Sequence, residues 1–363
     1  MKKSFSLSII LSLLFTIIIV VSGCTKKTPK KQAEKKLTDS DIEKLFEMER
    51  VSGGWAIRKY RGESGNVTIP STYKGGKIIE VIEEAFAENS YINKINVEAN
   101  LKKIGEEAFS KSSLKELRIL GTVEKIGDDA FSECKYLETV TLNRGLREIG
   151  EGAFKKTIIG EIAMPSTVEK IGDGAFYGCK YLRTATLNEG LREIEGRRLF
   201  LGAFSKSGIE RIAIPSTVEK IGKNAFYYCE NLQRVTLNEG LKEIEDFAFR
   251  HTKIREITIP STVEKIGDWA FASCGKLKTV TLNEGLKEMG RETFGNSNIK
   301  KVIIPSTVEK MGEYVFGHEI LDPPTTIYCS GNRAQDGWHP LWAYENEHSA
   351  AQTTIYDYKG EIF

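Results

Sequence analysis

The amino-acid sequence predicts a β-rich solenoid of about eleven turns, each 22 or 23 residues long, in which short parallel strands stack on one another. The first observation behind this prediction is a phenylalanine that recurs at steps of 22 or 23 residues, with one step of 28. The long step contains five additional residues, 196–200 (GRRLF). A turn this short cannot bury its own apolar face, so neighbouring turns must cover one another. The recurring residues are Phe86, Phe109, Phe131, Phe154, Phe176, Phe204, Phe226, Phe249, Phe271, Phe294 and Phe316.

The second observation is the pattern inside each turn. Residues 235–238 (VTLN) alternate between apolar and polar side chains, which predicts a short strand with one buried face. Equivalent strands are expected to stack in parallel at a spacing of about 4.8 Å. Turn residues follow the strands, as Asn-Glu-Gly at 238–240 and Pro-Ser-Thr at 215–217 on alternate turns. The phenylalanines form the predicted core together with an isoleucine column, which is Ile126, Ile149, Ile171, Ile194, Ile221, Ile244 and Ile266.

Four cysteines occupy one position on alternate turns, and they are Cys134, Cys179, Cys229 and Cys274. Two turns separate neighbouring cysteines by roughly 10 Å, whereas a disulfide requires Cα atoms within about 7 Å of each other. We therefore predict unpaired thiols that are buried as small apolar side chains. Their spacing does not suit a metal site either, and no metal ligands are predicted.

Charged residues alternate with the same two-turn period. In one column the sign changes at every step, through Glu80, Lys102, Glu124, Arg147, Glu169, Arg192, Glu219, Lys242, Glu264, Lys287 and Glu309. The next column nearly mirrors it, through Lys125, Glu148, Lys170, Glu193, Lys220, Glu243, Lys265, Glu288 and Lys310. A slip of one turn would bring like charges together, so the columns can set the register. The alternative interpretation is a solvated face whose charges only reflect a duplicated unit.

One repeat unit carries a family resemblance. The pattern I-P-S-T-V-x-x-I-G-x-x-A-F-x-x-C-x-x-L-x-x-V-x-L, present at residues 214–237, resembles the BspA-type leucine-rich repeat of bacterial surface proteins. The similarity extends over roughly residues 55–328. It implies a curved, right-handed leucine-rich-repeat stack. It also implies adhesion to host matrix proteins, to cells or to other bacteria.

The chain begins with a predicted leader and tether. Residues 1–23 combine two lysines with an apolar run and a small-residue end, which is typical of a secretion signal. Residues 21–24 (VSGC) resemble the lipobox of bacterial lipoproteins, and this resemblance implies that Cys24 becomes a lipidated N-terminus. An ordinary signal peptide or an uncleaved anchor is the alternative. Residues 24–39 are rich in lysine, so we expect a disordered, lipid-anchored tether and an extracytoplasmic protein, at the outer membrane or the cell surface.

Two caps are predicted to flank the solenoid, which spans residues 69–321. Residues 40–68 form the N-terminal cap, with a capping box at 40–43, a short helix that ends near Leu45, and a hairpin that covers the first turn. Residues 322–363 form the C-terminal cap. The side chains expected to cover the last turn are Trp338 and Trp342.

Composition and motifs exclude several classes of function. A net charge of +2 gives no electrostatic support for binding nucleic acid. The sequence contains no Ser/His/Asp arrangement, phosphate-binding loop or H-E-x-x-H motif, and within the repeats histidine occurs only as His251. We therefore expect a monomeric protein that is not an enzyme and uses no cofactor.

The outward side of the strands is the candidate binding face. Short side chains dominate it, so the face is expected to be flat and lightly charged. Such a surface suits a macromolecule better than a small molecule, which needs a concave pocket. The expected partner is a matrix protein, a glycan or another cell surface. The candidate residues are Thr139, Thr141, Thr184, Thr186, Arg211, Arg234, Thr236, Thr258, Thr279 and Thr281.

Alternatives to an adhesin remain open at this point. The solenoid could be an envelope scaffold that docks a partner of the same cell. The T-x-T pairs also suggest binding to ice or crystal surfaces, although the charges on the face argue against it. Finally, threonine suits any exposed strand, whether or not the strand binds a partner.

Overall fold

The computed structural model of the chain describes residues 37–97, 100–119, 122–196, 201–317, 326–330, 338–340 and 354–356. All of these residues belong to one unit, Leu37–Phe363. The leader, Cys24 and most of the tether lie outside the described residues, so their assignment stays a prediction. The same applies to Trp342.

A short helix begins the described chain. Helix α1 spans Asp39–Leu45, and its N-cap is Thr38. The Thr38 hydroxyl accepts a hydrogen bond from the Asp41 N–H at 3.2 Å, and the Asp41 carboxylate accepts one from the Thr38 N–H at 3.1 Å. This exchange satisfies two backbone donors at the helix start. The capping box predicted at 40–43 was therefore wrong, because Ser40 lies inside the helix.

A hairpin follows the helix and covers the first turn. Its strands β1 (Phe46–Val51) and β2 (Gly54–Tyr60) pair in antiparallel fashion. The next strands are β3 (Asn66–Ile69), β4 (Thr72–Tyr73) and β5 (Gly76–Val81). Strand β2 pairs in parallel with β5, which places the hairpin at the end of the stack. The Tyr60 ring stacks on Phe86 with 5.2 Å between ring centroids, so a tyrosine covers the first ring of the phenylalanine column.

From β6 onward, strands of two kinds alternate along the chain. The even-numbered strands are β6 (Lys94–Val97), β8 (Glu116–Ile119), β10 (Thr139–Thr141), β12 (Glu161–Ala163), β14 (Thr184–Thr186), β16 (Arg211–Ala213), β18 (Arg234–Thr236), β20 (Glu256–Ile259), β22 (Thr279–Leu282), β24 (Lys301–Ile304) and β26 (Thr326–Cys329). The odd-numbered strands are two residues long, and they are β7 (Lys103–Ile104), β9 (Lys125–Ile126), β11 (Glu148–Ile149), β13 (Lys170–Ile171), β15 (Glu193–Ile194), β17 (Lys220–Ile221), β19 (Glu243–Ile244), β21 (Lys265–Ile266), β23 (Glu288–Met289) and β25 (Lys310–Met311). Each turn thus contributes one strand of each kind, which confirms a solenoid of about eleven turns with parallel strands.

The odd-numbered strands form one continuous sheet that carries the charge columns in register. Glu148 lies opposite Lys125 on one side and Lys170 on the other. The Lys125 ammonium is 3.0 Å from the Glu148 carboxylate, and Arg147 is 2.8 Å from Glu169 in the neighbouring column. One assignment was wrong, since Glu80 pairs with Lys103 at 2.8 Å and belongs to the second column. Glu80 is six residues before Phe86, as Lys125 is six residues before Phe131, so Ile79 occupies the first column's position in this turn.

A charge reversal tests whether these columns contribute to stability. Lys287 lies 2.9 Å from Glu264, and Glu309 occupies the same column one turn further on. We expect Lys287→Glu to lower the urea midpoint slightly, because three carboxylates would then be stacked, and we expect salt to remove the difference. Lys276→Glu makes the same charge change outside the columns and is the control. Equal midpoints for the two variants at low salt would contradict a contribution of the columns to stability.

The phenylalanine column is the centre of the core. All eleven phenylalanines are at most 2% exposed. Successive rings are stacked at centroid distances of 4.6–5.6 Å and interplanar angles of 1–16°. The backbone follows the same repeat, as the Phe226 N–H donates to the Ala248 carbonyl of the next turn at 2.8 Å. The ring spacing is close to the strand spacing of about 4.8 Å, so aromatic stacking and strand pairing reinforce one another.

Glycine follows the odd-numbered strands because successive turns approach closely there. A Cβ atom added at Gly127 would lie 2.6 Å from the carbonyl carbon of Gly105 in the preceding turn. No side chain can be accommodated at that distance without moving the backbone. The Ile-Gly pair of the repeat therefore reports the packing of two backbones, which the strand pattern alone does not reveal.

The four repeat cysteines are buried, and their thiols donate hydrogen bonds to carbonyl groups of the preceding turn. The Cys229 thiol donates to the Phe204 carbonyl at 3.0 Å and lies 3.4 Å from the Ser207 hydroxyl. Serine or threonine occupies the same position on the intervening turns, so a polar column runs beside the phenylalanines. Burial raises the pKa of all four thiols to about 11. All four thiols are free, as the spacing predicts.

The stack continues beyond the last phenylalanine. Strand β26 pairs in parallel with β24, and β27 (Thr354–Tyr356) pairs with β26. The segment predicted as a C-terminal cap therefore extends the ladder of even-numbered strands. Trp338 is 8% exposed, and its indole N–H donates to the Val308 carbonyl at 3.0 Å. It closes the apolar end beside β25, with Met311 as its bridge partner.

Candidate binding surface

All ten residues predicted for the binding face are exposed, and they lie on the even-numbered strands. The residues between them point into the core, as Ile212 and Val235 show with exposures of 5% and 7%. The alternation predicted from the sequence therefore places the ten side chains on one surface. We refer to these ten residues as the strip.

The strip is divided among three sheets. Thr139 and Thr141 belong to the sheet of β3, β6, β8 and β10. The central part, from Thr184 to Thr236, lies on the sheet of β12, β14, β16 and β18. The remaining strip residues, Thr258, Thr279 and Thr281, lie on the sheet that starts at β20. The hydrogen-bonded ladder thus pauses after β10 and after β18, a division that the sequence repeat does not predict.

Two arginines stand next to each other in the central sheet. Arg211 and Arg234 are direct partners in the parallel register of β16 and β18. Adjacent strands are about 4.8 Å apart, so two positive charges are stacked here, whereas most steps of the charge columns alternate in sign, with Lys103 and Lys125 as an exception. Within the described part of the chain, neither guanidinium forms an ion pair or a hydrogen bond. This pair is the strongest uncompensated charge on the strip.

Charges at the two ends of the same face have partners. Lys94 lies 2.7 Å from Glu116 at the N-terminal end, and the Lys301 ammonium lies 4.4 Å from the centre of the Tyr328 ring at the C-terminal end. The central arginines therefore differ from these two lysines, which already have partners.

A column of exposed tyrosines borders the strip and was missed by the sequence analysis. Tyr91, Tyr136 and Tyr181 are 51%, 56% and 64% exposed. They recur every 45 residues, that is, on every second turn, just before an even-numbered strand. The 45-residue spacing is a visible signal in the sequence, but these tyrosines were not among the residues predicted for the face. Exposed tyrosines are common in binding surfaces because they combine an apolar ring with a hydroxyl group.

Neither a cluster of metal-ligating side chains nor a membrane-spanning helix occurs among the described residues. Among them, no group of three or more histidine, cysteine or acidic side chains could hold a metal ion. The half-buried His251 packs against Tyr228 at 4.1 Å between ring centroids, and burial lowers its pKa. No helix in the described ranges is both long enough and apolar enough to cross a bilayer.

Comparisons with known proteins agree with this architecture. The family model for the BspA type leucine rich repeat region matches residues 63–183, 147–260 and 197–321, in six copies. A leucine-rich repeat protein from Bacteroides ovatus superimposes with a TM-score of 0.55 at 21% identity, covering 78% of this chain and 93% of the other. A leucine rich cell surface protein from Faecalibacterium prausnitzii gives a TM-score of 0.51 at 22% identity, covering 80% of this chain and 94% of the other. A search of curated proteins found no match. Because the three matched segments together span residues 63–321, more than half of the sequence, the chain belongs to the BspA-type leucine-rich repeat family.

Proposed function

We propose that this protein is a non-enzymatic surface protein that binds a host or bacterial macromolecule in the manner of an adhesin, through the strip. The observation that carries the proposal is the stacked pair Arg211 and Arg234 on an otherwise short-chained, exposed face. Two adjacent guanidinium groups repel each other in the unbound protein. A partner with anionic groups relieves that repulsion and gains bidentate hydrogen bonds.

The shape of the strip supports a protein or glycan partner. Its threonines form shallow rows rather than a cavity, and shallow surfaces gain affinity from area and a few central anchors. The tyrosine column extends the same face by one more row. A partner that crosses several strands could therefore contact threonine, arginine and tyrosine together.

The proposed location is outside the cytoplasm. Family membership supports a surface interaction module, and the Faecalibacterium protein of similar fold is described as a cell surface protein. We propose that residues 1–23 are a lipoprotein signal peptide, that Cys24 carries the lipid, and that residues 24–39 are the tether. Several acyl chains would hold the protein firmly on a bilayer, since each buried methylene contributes about 0.8 kcal/mol.

Solid-phase binding of the purified chain to matrix proteins, mucin and bacterial surfaces tests the adhesin proposal. We expect the double variant Arg211→Ala/Arg234→Ala to lose binding by about tenfold or more, because central arginines are frequent hot spots. The control is Lys44→Ala/Lys59→Ala, which removes two exposed cations from the N-terminal cap. Equal binding by both variants would contradict a role for the strip, and the absence of binding to every surface would contradict adhesion.

The second candidate is an envelope scaffold that docks a partner of the same cell. It uses the same strip, so the variants above do not separate the two functions. Crosslinking on intact cells, followed by identification of the captured protein, does separate them. A partner from the protein's own envelope would favour the scaffold.

A further inference from the structure

Two kinds of turn interlock along one edge of the solenoid. The Glu189 carboxylate of an Asn-Glu-Gly turn accepts hydrogen bonds from the following Pro-Ser-Thr turn. Its donors are the Ser216 N–H at 3.2 Å, the Ser216 hydroxyl at 3.0 Å and the Thr217 N–H at 3.2 Å. Both carboxylate oxygens are used. The Ser-Thr pair is therefore a cradle for one carboxylate.

The cradle is repeated along the edge. Glu239 accepts from the Ser261 N–H, the Ser261 hydroxyl and the Thr262 N–H at 3.1–3.2 Å. Glu284 accepts from the Ser306 N–H at 3.2 Å and the Ser306 hydroxyl at 3.1 Å. The backbone hydrogen bonds hold the pKa of Glu189 and of Glu239 below the usual range. The donors thus favour the charged form of the carboxylate.

One turn departs from this pattern. Arg144 occupies the position of the glutamate in the turn 143–145 (NRG), which precedes the Pro-Ser-Thr turn at 165–167. That second turn keeps the geometry of the others, since the Thr167 hydroxyl donates to the Leu146 carbonyl at 2.7 Å, as Thr217 does to Leu191. Yet in the described part of the chain, neither the Ser166 N–H and hydroxyl nor the Thr167 N–H donates to any acceptor. Ser166 is exposed, so these donors can be reached from outside.

We propose that the Ser166–Thr167 turn, with Arg144 beside it, binds an aspartate or glutamate carboxylate of a partner polypeptide. Two sister turns show the same three donors receiving a glutamate side chain, and a third shows the two serine donors doing so, so the geometry suits a carboxylate on a flexible stem. Arginine in place of the acid supplies a positive charge and a planar pair of donors, both of which favour an incoming carboxylate. Arg147 is the next cation in the sequence after Arg144. Its guanidinium lies 2.8 Å from the Glu169 carboxylate, so it does not compete with Arg144 for an incoming carboxylate.

The site lies beyond the C-terminal ends of β10 and β12 and contains none of the strip residues. The proposed carboxylate site is therefore independent of the binding role proposed for the strip. A partner protein held here would place an acidic side chain at the turn edge of the solenoid.

Amide chemical shifts of the full chain test the proposal, with a short polyglutamate peptide as the probe. We expect saturable shifts at the amides of Ser166 and Thr167. The amides of Ser216, Thr217, Ser261 and Thr262 should stay unchanged, because their cradles already hold an internal carboxylate. Arg144→Glu should weaken peptide binding by about tenfold or more while the protein stays folded, since the new side chain occupies the cradle.

The converse substitution, at a turn whose donors already hold a glutamate, should create a new carboxylate-binding site. Glu239→Arg should create a second responsive pair at Ser261 and Thr262, because it removes the internal carboxylate there. Unchanged Ser166 and Thr167 amides at millimolar peptide, or equal binding by Arg144→Glu, would overturn the proposal. A response to polygalacturonate or phosphate without a response to the peptide would also overturn it, because the ligand would then be a glycan or a phosphate group.

Discussion

Phe226→Ala is expected to lower the free energy of unfolding by about 3–5 kcal/mol, the range measured for deleting a buried aromatic ring. Phe226 is 0% exposed, and its ring is 5.4 Å from that of Phe204 and 5.1 Å from that of Phe249 between centroids. Its removal leaves a cavity between two turns, and each turn depends on its neighbours for burial. The loss should therefore affect the whole central part of the stack.

Urea unfolding followed by circular dichroism measures this loss. Because repeat stability is a sum of neighbouring contacts, we also expect the transition to broaden or split as the two halves of the stack unfold separately. Phe226→Leu keeps most of the volume and should cost less than the alanine variant. Tyr181→Ala removes an exposed ring and should change stability little. A loss below about 1 kcal/mol for Phe226→Ala would contradict the central role of the column.

The four repeat thiols should resist labelling in the folded protein. Burial raises their pKa to about 11, so very little thiolate exists near neutral pH. We expect a disulfide reagent to modify Cys134, Cys179, Cys229 and Cys274 at least about a hundredfold more slowly in the native state than in guanidinium chloride. Peptide mass spectrometry after timed quenching identifies each site. Rapid native labelling of all four would show that the core opens readily.

The same thiols make stability depend on alkaline pH. Their folded pKa is raised above the ordinary value, so their contribution is fully present below the unfolded pKa and is lost as pH rises toward the folded value of about 11. We expect the free energy of unfolding to fall by several kcal/mol between about pH 9 and pH 11. Replacing all four cysteines by serine removes this ionisation. Serine already occupies the same column at Ser112 and Ser207, where it is buried.

The fourfold serine variant is the matched control for the pH experiment, because lysines and tyrosines also titrate in the alkaline range. The wild-type chain should lose more stability than the variant across that range. Parallel pH profiles for the two proteins would contradict a contribution from the thiols.

The sequence predicted the stack well because each turn repeats the same side chains. A phenylalanine every 22 or 23 residues can only be buried by neighbours in a solenoid, and the described rings are stacked accordingly. Cysteines two turns apart could not pair, and they do not. The strip residues were also placed correctly on the exposed face, since alternation along a strand fixes which side chains point outward. Their role in binding stays a proposal.

The errors occurred where the repeat is interrupted. Glu80 was assigned to the wrong charge column because this turn has two isoleucines, Ile78 and Ile79, where later repeats have one apolar residue before two charged ones. The capping box was placed at 40–43 because Ser40 and Glu43 fit the motif, whereas Thr38 and Asp41 form it. Tyr60 was not recognised as the cover of Phe86, since a tyrosine outside the repeat has no periodic signal.

The sequence by itself determined the number of turns, the longer strand of each turn, the buried columns and the outward face, because periodic side chains leave only one way to bury the apolar surface. The second, two-residue strand of each turn was found only in the structure. Only the tertiary structure decided which polar groups find partners across turns. Arg211 and Arg234 become an uncompensated pair only when β16 and β18 are set in register. The donors of Ser166 and Thr167 are likewise distinguished from their sister turns only by the glutamate contacts that those turns form. Such pairings depend on distances between residues of different turns, which a linear pattern does not contain.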